Sequence, residues 1–231
     1  MQKNWLESAL GQQLTIHESM LFEAAVADVF GFHALQFGGN DTNFLANSRI
    51  AHKLYADASQ GNVRCLSEAL PFDESSIDLY LMPHVLEFSE DPHQSLREAA
   101  RVLVPEGCLI VSGFNPMSFW GMRKFFFRGE TDPWSRQFIS HIRLKDWLKL
   151  LGFELVHCEF CCYCPPINQL RWLNRFSFMD KIGKRWWPML GGVYFVVAKK
   201  RVAGMTLLKP HWKKNNIVKN LMPKPAPKMD Q

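Results

Sequence analysis

Two apolar runs constrain this chain most. Ile77–Met82 (IDLYLM) and Cys108–Phe114 (CLIVSGF) have no helical period and few charges. Between them lies a stretch with helix punctuation. Asp91-Pro92 starts it, Leu96, Ala99, Ala100 and Leu103 share one face, and Pro105 and Gly107 end it. A continuous apolar strand needs cover on both faces. Strand, amphipathic helix and strand in that order predict a βαβ unit, and so a mostly parallel sheet with helices on both sides.

The flanking segments extend the pattern. Residues 3–31 read as helical, with apolar residues recurring near a 3.6 period until Gly31. His33–Phe37 is a short apolar strand that feeds Gly38-Gly39. Thr42–Ile50 reads as one short helix with Asp41 as its N-cap. Lys53–Asp57 and Val63–Ser67 are weaker strand candidates, Leu144–Leu151 is a helix, and Phe153–Phe160 and Val193–Lys199 are the last strands. The first half is short of chain. A parallel crossover takes about a dozen residues or more, and the link between Asp57 and Val63 has far fewer. The expectation is therefore an antiparallel pairing of 53–57 with 63–67, or the loss of one strand. The predicted organisation is an N-terminal helical extension over 1–31 and one α/β domain over 32–201, with insertions or lids at 115–140 and 161–191. A basic tail, read as disordered, follows over 202–231.

Charge and cysteine usage narrow the function classes. The formal charge is +5 over 231 residues, yet from Lys199 onward nine Lys/Arg face one acid. The basicity therefore sits in the tail, and the domain is mildly acidic. The tail reads first as a solvated segment, and second as a contact to RNA or an anionic membrane. No apolar run approaches the roughly 18 residues of a membrane span, and the first residues lack a signal-peptide core, so a cytoplasmic protein is expected. Four of six cysteines fall in HCEFCCYC beside His157. With no second Cys pair, that cluster reads as small buried hydrophobes rather than a zinc or disulfide site, and no metal site is expected.

The stretch Glu68–Pro116 is the most specific. It contains Ala-Leu-Pro-Phe at 69–72, Ser-Ile-Asp-Leu at 76–79, Asp91-Pro92, Leu-Arg-Glu at 96–98, Arg-Val-Leu at 101–103, Pro105 and Gly107. In this order the motifs resemble the class I S-adenosylmethionine-dependent methyltransferases, in particular the type-11 group. The resemblance implies a Rossmann-like three-layer α/β fold with an antiparallel last strand, here with an abbreviated first half. It also implies S-adenosylmethionine as cofactor. Of the residues it points to, Phe37, Gly38 and Gly39 stand at the glycine-rich loop under the methionine part of the cofactor. Asp57 stands where an acid meets the ribose. The acid that usually reads adenine is replaced by Leu66, with Ser67 or Glu68 as substitutes. Met82 and Pro83 lie in the loop after the fourth strand, with His84 as the candidate general base. Asn115 and Trp120 are placed to touch the acceptor. The aromatic and basic stretches 117–141 and 171–190 suit an apolar, small-molecule or lipid-like acceptor. The rival expectation is a catalytically inactive protein of this fold that binds a partner, RNA or a membrane surface. Oligomeric state is left open.

Overall fold

The computed structural model describes residues 8–39, 42–59, 61–126, 136–166, 175 and 178–201. The basic segment 202–231 and Asp41, the expected N-cap, lie outside them. Seven strands form one sheet in the order β3-β2-β1-β4-β5-β7-β6. They are β1 (His33–Phe37), β2 (His52–Asp57), β3 (Val63–Arg64), β4 (Ile77–Pro83), β5 (Leu103–Phe114), β6 (Phe153–Cys161) and β7 (Val193–Lys200). The first five run parallel, and β7 is inserted antiparallel between β5 and β6. The described helices are α1 (Ala9–Ala27), α2 (Val85–Phe88), α3 (Pro92–Val102), α4 (Phe119–Phe126), α5 (His141–Leu150) and α6 (Phe178–Trp186).

The predicted βαβ unit is present. Asp91 caps α3 through its carboxylate, with Pro92 at the first turn. The helix is one residue shorter than its pattern suggests. Leu103, expected on its apolar face, is already extended and pairs with Ile77. Leu96, Ala99 and Val102 of α3 and Leu144 and Leu148 of α5 pack on one face of the sheet. Phe22 and Val26 of α1 cover the other. No described helix is long and apolar enough to cross a membrane.

Two expectations for the first half fail, for a common reason. Residues 42–50 form turns, not a helix. Phe44, Leu45 and Ile50 are nevertheless buried, packed with Phe22 and Val26. The N-terminal helix covers the sheet where a crossover helix would lie, so the link itself needs no helical turn. Likewise β2 and β3 pair parallel, not antiparallel: Ala56 faces Val63 and Asp57 faces Arg64. The five-residue link stays short because only two residues pair. Asn62 N donates to Tyr55 O and Cys65 N to Asp57 O, closing a tight loop instead of a crossover.

Arg101 shows how the recognised block holds together. Its guanidinium donates to Leu70 O at 2.9 Å and Phe72 O at 2.8 Å, pinning both sides of Pro71, and pairs with Glu98. Glu98 in turn accepts from Leu70 N. These two residues staple the Leu-Pro-Phe turn to α3. Arg101→Ala is expected to cost about 1–2 kcal/mol, the range for charge-assisted bonds that are partly exposed. Urea unfolding monitored by circular dichroism would show a lower midpoint at unchanged slope.

Candidate active site

The carboxyl ends of β1 to β4 open into a cavity of about 460 Å³, within the size range of small-molecule sites. Its wall is mostly apolar: Phe37, Phe44, Leu66, Pro83, Val85 and Phe88. The carboxyl edge of a parallel sheet is where such folds bind ligands.

Gly38 and Gly39 form part of this wall, and both adopt left-handed φ angles, +72° and +62°. A Cβ on Gly39 would lie 3.1 Å from both the Phe44 ring and Pro83 Cγ. The backbone thus approaches the cavity as only glycine allows. The loop is held from below by Gln36, buried in the middle of β1. Its amide nitrogen donates to Gly38 O (3.1 Å), Gly39 O (3.3 Å) and Thr42 O (2.8 Å), and its oxygen accepts from Phe44 N at 3.0 Å. Gln36 was not singled out from the sequence. The available signal was an amide inside an apolar strand, which needs partners when buried.

His84 follows β4 at φ +54°, a strained angle for a non-glycine residue, and is 4% exposed. Its Nε2 lies 2.8 Å from Glu18 Oε1, close as an ion pair but not aligned as a hydrogen bond. Its Nδ1 lies 3.6 Å from Glu87 Oε1. The ring also packs on Phe114, with centroids 4.2 Å apart. Burial alone would lower the imidazole pKa, but Glu18, and then Glu87, raise it to about 10. His84 is therefore an imidazolium at neutral pH. The expected general base thus stands between two carboxylates that favour its protonated form. Glu18 is the second residue the sequence reading missed. It interrupts the buried α1 stripe Leu10, Leu14, Phe22, Val26 at the same four-residue spacing. A carboxylate in such a stripe demands a buried partner, and His84 supplies it.

Ser67 and Glu68 line the cavity. Glu68 Oε1 accepts from Ser89 and from Glu90 N, which bonds the loop after β3 to the loop before α3. Burial opposes ionisation of Glu68, yet the bonds from Ser89, Ser67 and the backbone hold its pKa below the ordinary carboxylate value. Leu66, at the position of the missing acid, is exposed on the cavity wall.

Other expected residues are not brought to the cavity. Met82 is fully buried in β4. Asn115 is consumed structurally, donating to Met189 O at 2.8 Å and Gly191 O at 3.0 Å. Trp120 is buried and donates to Cys164 O. Neither lines the wall, because the edge of β5 is filled by the residues that lead into β7. Asp57 stands at the end of β2 with Oδ1 bonded to Ser59, and the next residue, Ala58, is the one that lines the cavity. Cys161, Cys162 and Cys164 are buried with Leu10, Leu14 and Trp120. Burial pushes the Cys164 thiol up to about 12, the behaviour of a packed hydrophobe.

This architecture has known counterparts. The Methyltransferase domain family profile matches residues 39–111. YafS of Escherichia coli K12, an uncharacterized protein, is 34% identical over 183 residues, covering 78% of this chain and 72% of YafS. An S-adenosylmethionine-dependent methyltransferase of Thermotoga maritima superposes with a TM-score of 0.58 at 19% identity, over 81% of this chain and 92% of that one. The Burkholderia thailandensis 1,6-didemethyltoxoflavin-N1-methyltransferase, solved with its acceptor and S-adenosylhomocysteine, gives 0.52 at 14% identity, over 87% of this chain and 82% of that one. Fold and cavity define a class I methyltransferase architecture. The chain belongs to one family with YafS, and its residues 39–111 carry the Methyltransferase domain.

The ion pair has a pH signature. The His84 pKa is raised on folding, so its stabilisation is complete below the unfolded value of 6.5 and is lost as pH rises through about 10. In chemical unfolding from neutral pH to pH 10, the protein is expected to lose stability faster than a His84→Asn variant.

Proposed function

We propose that this cavity holds S-adenosylmethionine and that the protein transfers the methyl group to a small organic acceptor with an apolar body. The observation that carries the reading is the convergence of Gly38, Gly39, Ser67, Glu68, Pro83 and His84 on one cavity from three separate chain segments. The wall fits the group: the glycine pair offers a surface that a Cβ would obstruct, with Leu66 and Phe88 as apolar faces. In this reading Phe37, Gly38 and Gly39 hold the methionine part. Ser67 and Glu68 stand at the purine side, and Asp57, one residue from the wall, is the acid for the ribose.

When bound, S-adenosylmethionine supplies a methyl group on an electron-deficient sulfonium. The chain's own part is to bind, to orient the acceptor in line and to exclude water. His84 retains its proton and acts as a fixed charge, anchoring Glu18 of α1 against the loop after β4. With no base at His84, the acceptor is one that presents a free lone pair at neutral pH. A neutral amine or a stabilised anion meets that requirement. The apolar wall suits a flat or lipid-like acceptor body.

Calorimetric titration with S-adenosylmethionine and S-adenosylhomocysteine tests the reading. Micromolar binding is expected, lost in Gly38→Arg, whose side chain would occupy the wall. A wild-type protein that binds neither compound contradicts it. A second outcome concerns His84. His84→Gln is expected to retain measurable methyl transfer with the pH-rate profile unchanged near neutrality, whereas loss of the acid-side limb, the rise of rate with pH, would restore the base assignment.

A further inference from the structure

The far side of the same sheet edge carries an apolar surface that the site does not use. On α6, Phe178, Ile182 and Trp186 recur every fourth residue and are exposed, Trp186 at 71%. Trp187, at 53%, and Met189, at 62%, continue the surface past the helix end. The opposite side of α6 packs inward: Gly183 lies against the Tyr163 ring, and Asp180 accepts from Tyr163 N at 2.8 Å. Asn115 joins this surface to a second one. Its side chain donates to Met189 O and accepts from Met117 N, and Met117, Phe119 and Met122 are exposed in turn. Surfaces of this kind on a folded protein mark an interaction site.

We infer that this face docks the protein on an anionic phospholipid membrane, with Trp186 and Trp187 seated among the headgroups. The charge pattern selects that partner. Residues 178–190 contain three basic residues and one acid, and that acid, Asp180, is turned inward. Arg185 directly precedes the tryptophans and is exposed, while Lys184 beside it is exposed and pairs with Glu159. An exposed apolar helix face with bases at its margin and tryptophan at its end is the pattern of an interfacial helix. Tryptophan is favoured at headgroup depth, where an apolar ring and a polar N–H are both satisfied. Nucleic acid fits less well, since most of the face is apolar. The surface lies beside the carboxyl end of β5, where Phe114 faces Val193, on the sheet edge that holds the cavity. Docking does not depend on the proposed reaction. Its corollary, that an apolar acceptor is drawn from the bilayer, does rest on that reading.

Vesicle flotation of the full chain tests the docking. Vesicles of phosphatidylcholine with phosphatidylglycerol are expected to carry the protein, and brominated lipids to quench its tryptophan fluorescence. Trp186→Ser with Trp187→Ser is expected to weaken binding by roughly tenfold or more, since interfacial affinity scales with buried apolar area. Arg185→Ala is expected to weaken it by about fivefold. Both variants alter exposed side chains, and unchanged circular dichroism and S-adenosylhomocysteine binding would report an intact fold and site. No flotation of the wild type overturns the proposal. So does flotation unchanged in the tryptophan pair, which would place the contact in the Lys-rich segment 202–231. A variant that converts a dimer to a monomer in light scattering, with no change in flotation, also overturns it and assigns the face to a second copy. Failure of the cofactor titration would leave the flotation result standing, so the two readings fail separately.

Discussion

The structure depends on one buried amide. A parallel strand pair must be joined by chain that crosses the sheet and satisfies its own polar groups on the way. Among the described residues of the link from β1 to β2 no helix is present to do so. Gln36 does it from below, with one side chain bonded to the backbone at Gly38, Gly39, Thr42 and Phe44. That leaves the glycine pair fixed at left-handed angles with its upper surface bare. The loop's exposure to the cavity and its support from beneath have the same origin. An apolar residue at position 36 would leave several partly buried carbonyls without this donor.

The missing crossover helix has a second consequence. The sheet face it would cover is closed by α1, which runs on to the carboxyl edge and brings Thr15 and Glu18 into the cavity wall. The N-terminal helix is thus both core and site. A lone carboxylate in that position would be costly to bury. The imidazolium of His84 offsets the cost, and the strained angle at His84 places its ring between carboxylates from α1 and α2. Abbreviation of the first half and a buried charge pair beside the cavity are two sides of one solution.

Much of this was legible in the sequence, unevenly. The block from Glu68 to Pro116 revealed strands, helix cap and fold, because its signals are local: an apolar run, Asp-Pro, a four-residue stripe. The places of Gly38, Ser67 and Glu68 on one wall followed from the resemblance and chain order. What the sequence did not show was tertiary. Thr42–Ile50 has a helical apolar pattern, but its apolar residues are buried by α1 without forming a helix. The parallel β2–β3 pairing is too short to follow from a spacing rule built for full crossovers. Asn115 and Trp120 hold the correct position in the chain, yet their polar groups serve the β5–β7 edge. Gln36 and Glu18 were marked only by their polarity in apolar surroundings, which signals a partner but not its identity.

The central claim is that the cavity over the Gln36-held glycine pair is the cofactor site. Backbone amide NMR during titration with S-adenosylhomocysteine tests it directly. Saturable shifts centred on Gly38, Gly39, Ser67, Glu68 and His84 are predicted. Saturable shifts confined to residues outside this wall, or no shifts at all, would contradict the account.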